Sequence, residues 1–161
     1  MGNKTITVIP GDGIGPDIID SVQRIFSAAQ VPLNYDVHHA GGIVFEQGIP
    51  SGVTPELLES IRRNRIVLKG PLQTPVGYGE TSVNVTLRKL CETYANIRPV
   101  VPIPGITTRF SDCDLDIVVI RENLEDLYAG IEYMPHSSVA TSVKMMTRQG
   151  CEHITRFAFE Y

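Results

Sequence analysis

Three arginines and a small set of polar residues stand close together in the middle of the chain. Arg88 closes SVNVTLR, Arg98 lies in YANIRP, and Arg121 opens RENLEDLY, which ends at Tyr128. A guanidinium is planar, permanently charged and forked, so it grips a carboxylate through two parallel hydrogen bonds. Three such forks near one point would suit a small ligand with several carboxylates. Ser82, Asn84 and Tyr128 would add hydroxyl, amide and phenol groups. The alternative is that each arginine makes only a surface ion pair, worth little. Spacing alone leaves both open.

The elements that must position these residues are legible in outline. Lys4 to Ile9 is a short β-branched strand, and Gly11, Gly13, Gly15 and Pro16 turn it into a helix carrying Ile18, Ile19, Val22, Ile25, Phe26 and Ala29 at helical period. The third glycine of the dinucleotide fingerprint is missing, so the loop also reads as a plain strand-to-helix turn. Leu33 to Ala40 alternates as a strand, with His38 and His39 as strand residues rather than metal ligands. Gly41, Gly42, Gly48 and Gly52 mark turns. Thr54-Pro55-Glu56 reads as a cap, an N1 proline and a first-turn acid, starting a helix with Leu57, Leu58 and Ile61 inward. Ile66 to Leu68 reads as a short buried strand. Strand, helix, strand, helix, strand implies a parallel sheet with packed helices.

Lys69 to Gly79 then leaves the end of a strand, where ligands of open α/β sheets gather. Ser82 starts a helix with Leu87, Leu90, Cys91 and Tyr94 inward. Asn84 and Arg88 share the other face at i and i+4, and Arg98 falls just beyond the helix end. Ser82 is a plain N-cap, or an anion contact at a helix N-terminus. Pro99, Pro102 and Pro104 suggest an extended crossover. Leu115 to Ile120 reads as a strand buried on both faces, with Arg121, Glu122 and Asn123 at its end. Val139 to Met145 alternates as a strand, and Ile154, Phe157, Ala158 and Tyr161 carry a helical stripe.

Composition narrows the class. Hydrophobic residues are 42% and charged residues 20%, ordinary for a globular protein. The net charge of −4 offers no basic field for nucleic acid. No apolar run approaches the ~20 residues of a membrane span, and no signal-peptide core opens the chain. Cys91, Cys113 and Cys151 form no C-x-x-C pair and suggest reduced thiols. The expected location is cytoplasmic, with neither nucleic acid nor membrane as partner.

The motifs VIPGDGIGP, SVNVTLR, YANIRP and VIRENLEDLYAGIE, in this order, resemble the isocitrate dehydrogenase branch of the β-decarboxylating dehydrogenases, the isocitrate/isopropylmalate family. The resemblance covers nearly the whole chain. It implies an α/β fold specific to that family, not a Rossmann fold, and oxidation of a 2-hydroxy acid by hydride transfer to NAD or NADP. Decarboxylation assisted by Mg²⁺ or Mn²⁺ would follow, and then protonation of the resulting enol. Family members run to well over twice this length. The expectation is an N-terminal portion of a two-domain enzyme: 1–92 the first part of the large α/β domain, 93–128 a crossover and first small-domain strand, 129–161 clasp-like strands and the start of a helix.

The resemblance also assigns roles. Arg88, Arg98 and Arg121 would hold carboxylates of isocitrate, Ser82 and Asn84 would recognise its third carboxylate, and Lys69 would reach substrate and cofactor. Ile14, Gln73 and Thr74 would lie near the nicotinamide, although some relatives have threonine at Gln73. Tyr128 would be the general acid that protonates the enol carbon. The metal-ligand aspartates, a lysine contributed by the partner subunit and the adenosine pocket would lie outside this chain. It is therefore expected to hold no metal ligands and to be inactive alone, with a homodimer as the complete enzyme. Rival readings are a homoisocitrate, isopropylmalate or tartrate dehydrogenase, and a non-catalytic isocitrate-binding regulatory subunit. Ser82 speaks against isopropylmalate, whose enzymes resemble a pattern of acidic and apolar residues there.

Overall fold

A computed structural model describes residues 2–73 and 82–161. It divides into two compact units, Met1–Cys91 and Glu92–Tyr161.

The first unit is built on β1 (Lys4–Ile9), which pairs in parallel with β2 (Leu33–Val37) on one side and β3 (Val67–Lys69) on the other. Side chains alternate across a strand, and β1 buries both faces. Ile6 and Val8 pack with Ile19 of α1 (Gly15–Ala28). Ile9 packs with Leu57 of α3 (Pro55–Asn64), Val53, Ala40, and Val83 and Leu87 of α4 (Val83–Leu90). Thr54 caps α3 as its sequence implies, its Oγ1 accepting from Leu57 N at 3.2 Å. Gly41 and Gly42, expected as a turn, lead into a short helix α2 (Gly42–Glu46).

Thr7 points to the same face as Ile9, and its hydroxyl is fully buried. It meets Ser60 Oγ at 2.7 Å, and Ser60 donates to Asp36 Oδ2 at 2.7 Å. Asn64 Nδ2 donates to Thr7 Oγ1 at 3.0 Å and to Asp36 Oδ2 at 3.3 Å. Arg63 donates to the same carboxylate, and His38 Nε2 lies 3.0 Å from Oδ1. The buried Ser60 hydroxyl is thus satisfied on this anion and the buried Thr7 hydroxyl on Ser60 and Asn64, and an orphaned one would cost about 1–3 kcal/mol. The Ser60 hydrogen bond, with Arg63 and His38 adding to it, holds the Asp36 carboxyl at about 2, below its ordinary 3.8. A depressed carboxylate pKa contributes stability above the unfolded value and loses it as pH falls through the folded one. Between about pH 4 and pH 2 this contribution should disappear. Denaturant unfolding at pH 5 and at pH 2 should therefore show wild type losing more stability than Asp36→Asn; parallel losses would contradict the role given to this carboxylate.

The second unit opens with β4 (Ala95–Val100), antiparallel to β5 (Ile117–Glu122), with Asn96 opposite Arg121 and Arg98 opposite Val119. A 3-10 turn (Leu127–Ala129) leads to the hairpin β6 (Glu132–His136) and β7 (Val139–Ser142). Helix α5 (Arg148–Glu160) follows, capped by Thr147, whose hydroxyl accepts from Gly150 N at 2.9 Å. Glu125 braces this cap by accepting from Thr147 N at 2.7 Å and from its hydroxyl, which lowers the Glu125 pKa.

Several expectations need correction. β5 is not buried on both faces in this chain: among the described residues it pairs with β4 alone, and Ile117, Val118 and Val119 are exposed. β3 runs Val67–Lys69 rather than Ile66–Leu68, and as an edge strand it leaves Val67 exposed. Arg98 lies inside β4, and Pro99 belongs to that strand rather than to a crossover. α4 ends at Leu90, which is exposed, and its buried stripe is Val83 and Leu87. Tyr94 instead stacks on His153 of α5 at 3.9 Å. Cys91, Cys113 and Cys151 are free thiols, and burial raises the Cys91 pKa. No helix among the described residues is long and apolar enough to cross a membrane.

Candidate active site

In the first unit the strand ends of β1 and β3 lie side by side, so their loops meet. Gly11, Gly15 and Gly70 permit this, because a Cβ at Gly11 would strike the Pro71 carbonyl and one at Gly15 or Gly70 would strike that of Pro10. Gly11 also has φ +84°, a left-handed conformation that glycine tolerates best. The glycines serve close backbone packing, and the backbone closes the junction: Gly70 N donates to Ile9 O at 2.8 Å and Asp12 N to Pro71 O at 2.7 Å.

Ile14 stands at the N-cap of α1 with 68% of its surface exposed, an apolar side chain held at the tip of the loop. Gln73 lies beside it in the fold, its side chain adjacent to Gly13 and its backbone N donating to Asp12 Oδ2 at 2.8 Å. Thr74 lies outside the described residues. Lys69 is the last residue of β3, its Nζ donating to Gly70 O at 2.7 Å. Desolvation of that ammonium, then the Arg88 cation, lowers the Lys69 pKa, and Asp12 opposes the shift. Lys69 and Arg88 are therefore close enough to repel, an arrangement that favours an anion near both.

Ser82 occupies the N-cap of α4, with no side-chain hydrogen bond to the helix itself. Asn84 and Arg88 follow one turn apart and are half-buried. The Asn84 amide makes a long contact, 3.5 Å, to Leu72 O. The structure thus gathers Lys69, Ser82, Asn84 and Arg88 on the loop-bearing end of the first unit.

In the second unit, cross-strand register puts Arg98 and Arg121 on one face of the β4–β5 pair, as diagonal neighbours. Arg98 Nε donates to Asn96 Oδ1 at 3.2 Å. Arg121 Nη2 donates to the Tyr128 phenol oxygen at 2.8 Å, its carbon 5.6 Å from the ring centre. Among the described residues neither Arg98 nor Arg121 forms an ion pair with a carboxylate. Asn123, buried, ties the chain just after β5 to the chain just before β4 by donating to Thr93 O at 3.1 Å. Glu122 accepts from Leu124 N and Glu125 N, which shapes the approach to Tyr128.

Among the described residues no group of three or more His, Cys, Asp or Glu could hold a metal ion. For a nicotinamide the fit is better, since exposed Ile14 offers an apolar surface and Gln73 an amide beside it. Sequence reading overlooked Asp12, whose position between two glycines of a strand-to-helix turn was the available signal, and Asp36, for which there was none.

An isocitrate dehydrogenase [NADP] of Thermus thermophilus is 58% identical over 159 residues, covering 99% of this chain and 32% of its own length. A chloroplastic 3-isopropylmalate dehydrogenase of Solanum tuberosum is 45% identical, covering 96% of this chain and 43% of that protein. The crystal structure of isocitrate dehydrogenase from Methylococcus capsulatus superposes with a TM-score of 0.90 at 45% identity, over 98% of this chain and 47% of that one. The chain thus spans about a third to a half of the length of these relatives. The family model described as isocitrate/isopropylmalate dehydrogenase matches residues 5–161. With α/β topology, parallel sheet and sequence in agreement over nearly every residue, the chain belongs to the isocitrate/isopropylmalate dehydrogenase family.

Proposed function

We propose that this chain forms the substrate-gripping portion of an enzyme that oxidatively decarboxylates isocitrate to 2-oxoglutarate, with NAD or NADP as hydride acceptor. The observation that carries the reading is the Arg121–Tyr128 pair with Arg98 on the same sheet face, neither arginine ion-paired among the described residues. Cations kept without a carboxylate partner beside a phenol suit a polyanionic substrate that needs a proton.

Arg88, Arg98 and Arg121 would fix the carboxylates and so convert binding energy into orientation. Lys69 would add a second cation beside Arg88, and Ser82 and Asn84 would meet the third carboxylate, the group separating isocitrate from malate-like acids. Ile14, Gln73 and Thr74 would hold the nicotinamide, which when bound accepts the hydride. Tyr128 would hold its proton at Oη until the enol carbon needs it. Its oxygen accepts from Arg121 at 2.8 Å, a hydrogen bond that does not use the phenol proton.

Mg²⁺ or Mn²⁺ is proposed on the family resemblance alone, with ligands from outside this chain, and the isolated 161 residues are proposed to be inactive. A homodimer is proposed for the complete enzyme, supported by the exposed Tyr133, Met134 and Val139 of the β6–β7 hairpin. Sedimentation as a monomer at working concentration would contradict it. The function is tested by following reduced nicotinamide in a complete enzyme containing this segment. Turnover of isocitrate at least tenfold more efficient than of 3-isopropylmalate is expected; the reverse preference would favour the isopropylmalate reading.

A further inference from the structure

Asp12 is a carboxylate that the mechanism above does not use, yet it is the point at which three loops of the first unit meet. Its Oδ1 accepts from Gly42 N at 3.1 Å, at the start of α2. Its Oδ2 accepts from Gln73 N at 2.8 Å, in the loop after β3. Its own backbone belongs to the turn between β1 and α1, donating to Pro71 O at 2.7 Å and accepting from Gly15 N at 2.9 Å. The fit is tight. Gly41 has φ +81°, and a Cβ there would fall on Asp12 Oδ2. A neutral turn would need none of this: one ionised side chain satisfies two backbone donors from segments 30 and 61 residues away. Hydrogen bonds to a charged acceptor are roughly twice as strong as neutral ones.

We propose that Asp12 is a positioning residue for the nicotinamide-facing surface, setting the separation of the Ile14 tip from the Gln73 segment by holding both loops on one carboxylate. This rests on the assignment of Ile14 and Gln73 to the cofactor. Asp12 does not touch cofactor or substrate; it acts through the backbone of Gly42 and Gln73. Its removal should weaken cofactor binding far more than isocitrate binding: the arginines are on other elements, and Lys69, whose positive charge Asp12 favours, would feel only the loss of that charge.

The test uses a complete enzyme carrying this segment, titrated with NADH and with NADPH by nucleotide fluorescence, and separately with isocitrate by calorimetry. Asp12→Asn keeps the size and one acceptor but turns an N–H towards one backbone donor. Gly41→Ala leaves every charge in place and displaces the carboxylate by steric contact. Both should weaken the preferred reduced cofactor about tenfold or more, the loss of one charge-assisted hydrogen bond, with isocitrate affinity changed by less than about threefold. Amide exchange should show reduced protection at Gln73 and Gly42 in both variants. Cofactor affinity within about twofold of wild type in both variants would overturn the proposal, as would parallel losses of cofactor and isocitrate affinity together with the melting temperature, which would make Asp12 only a fold-stabilising residue. If wild type itself bound neither cofactor nor isocitrate, the functional reading would fall and this proposal with it, whereas a normal wild type with unaffected variants would sink this proposal alone.

Discussion

Replacement of Tyr128 by phenylalanine in a complete enzyme should separate the two halves of the reaction. The ring is retained, and so is its cation–π contact with Arg121, whose carbon lies 5.6 Å from the ring centre. Substrate affinity should therefore fall only a few-fold, from loss of the 2.8 Å hydrogen bond that Arg121 now makes to the phenol oxygen. What disappears is the proton at Oη. General acid–base assistance is worth roughly 10²- to 10⁴-fold, and overall isocitrate turnover should drop by that order. Reduction of the added keto acid intermediate needs no protonation of the enol and should be spared by comparison. Equal losses in both assays would make Tyr128 a positioning group that holds Arg121, a role the same hydrogen bond would also allow.

Which features were legible follows from which forces are local. The β1 strand, the glycine turn and α1 are specified by neighbouring residues: β-branched alternation, glycines, a proline at N1 and a helical stripe. The Thr54 cap is equally local and formed as read. Burial is not local. Ile117 to Ile120 is apolar enough to read as a doubly covered strand, but β5 has one strand partner and exposes three of those four residues. Arg98 was misplaced for a related reason: the helix was carried on to Tyr94, whereas Glu92 at φ +50° ends it and Tyr94 packs on α5 instead. The Asp36 network joins residues up to 57 positions apart, Thr7 and Asn64, and nothing in their separate neighbourhoods announces it. The long motifs carried the family; single-residue roles did not follow from them with the same force.

The second large effect concerns the arginines. Arg88→Ala or Arg121→Ala should raise the isocitrate KM and cut kcat/KM by roughly 30- to 150-fold, the equivalent of about 2–3 kcal/mol for a charge-assisted pair. The two need not be equal. Arg88 shares its surroundings with Lys69, which its charge helps to depress in pKa, so Arg88→Ala should also let the Lys69 pKa rise. The remaining lysine should then offset part of the lost attraction. Arg121 has no such neighbour among the contacts described, and its loss also removes the donor to Tyr128; its effect on kcat should be the larger. Both measurements are steady-state titrations with isocitrate at fixed ionic strength, since screening would mask a surface effect. A change below about threefold would return the arginines to ordinary surface pairing.

The most direct test is a crystal structure of a complete enzyme of this sequence with isocitrate bound. Arg88, Arg98 and Arg121 should each lie at hydrogen-bond distance, about 2.7–2.9 Å for charge-assisted pairs, from carboxylate oxygens of that one ligand, with Tyr128 Oη facing the carbon to be protonated. Isocitrate bound elsewhere, or bound with Arg98 and Arg121 still turned to Asn96 and Tyr128 and away from its carboxylates, would contradict the assignment of this chain as the substrate clamp.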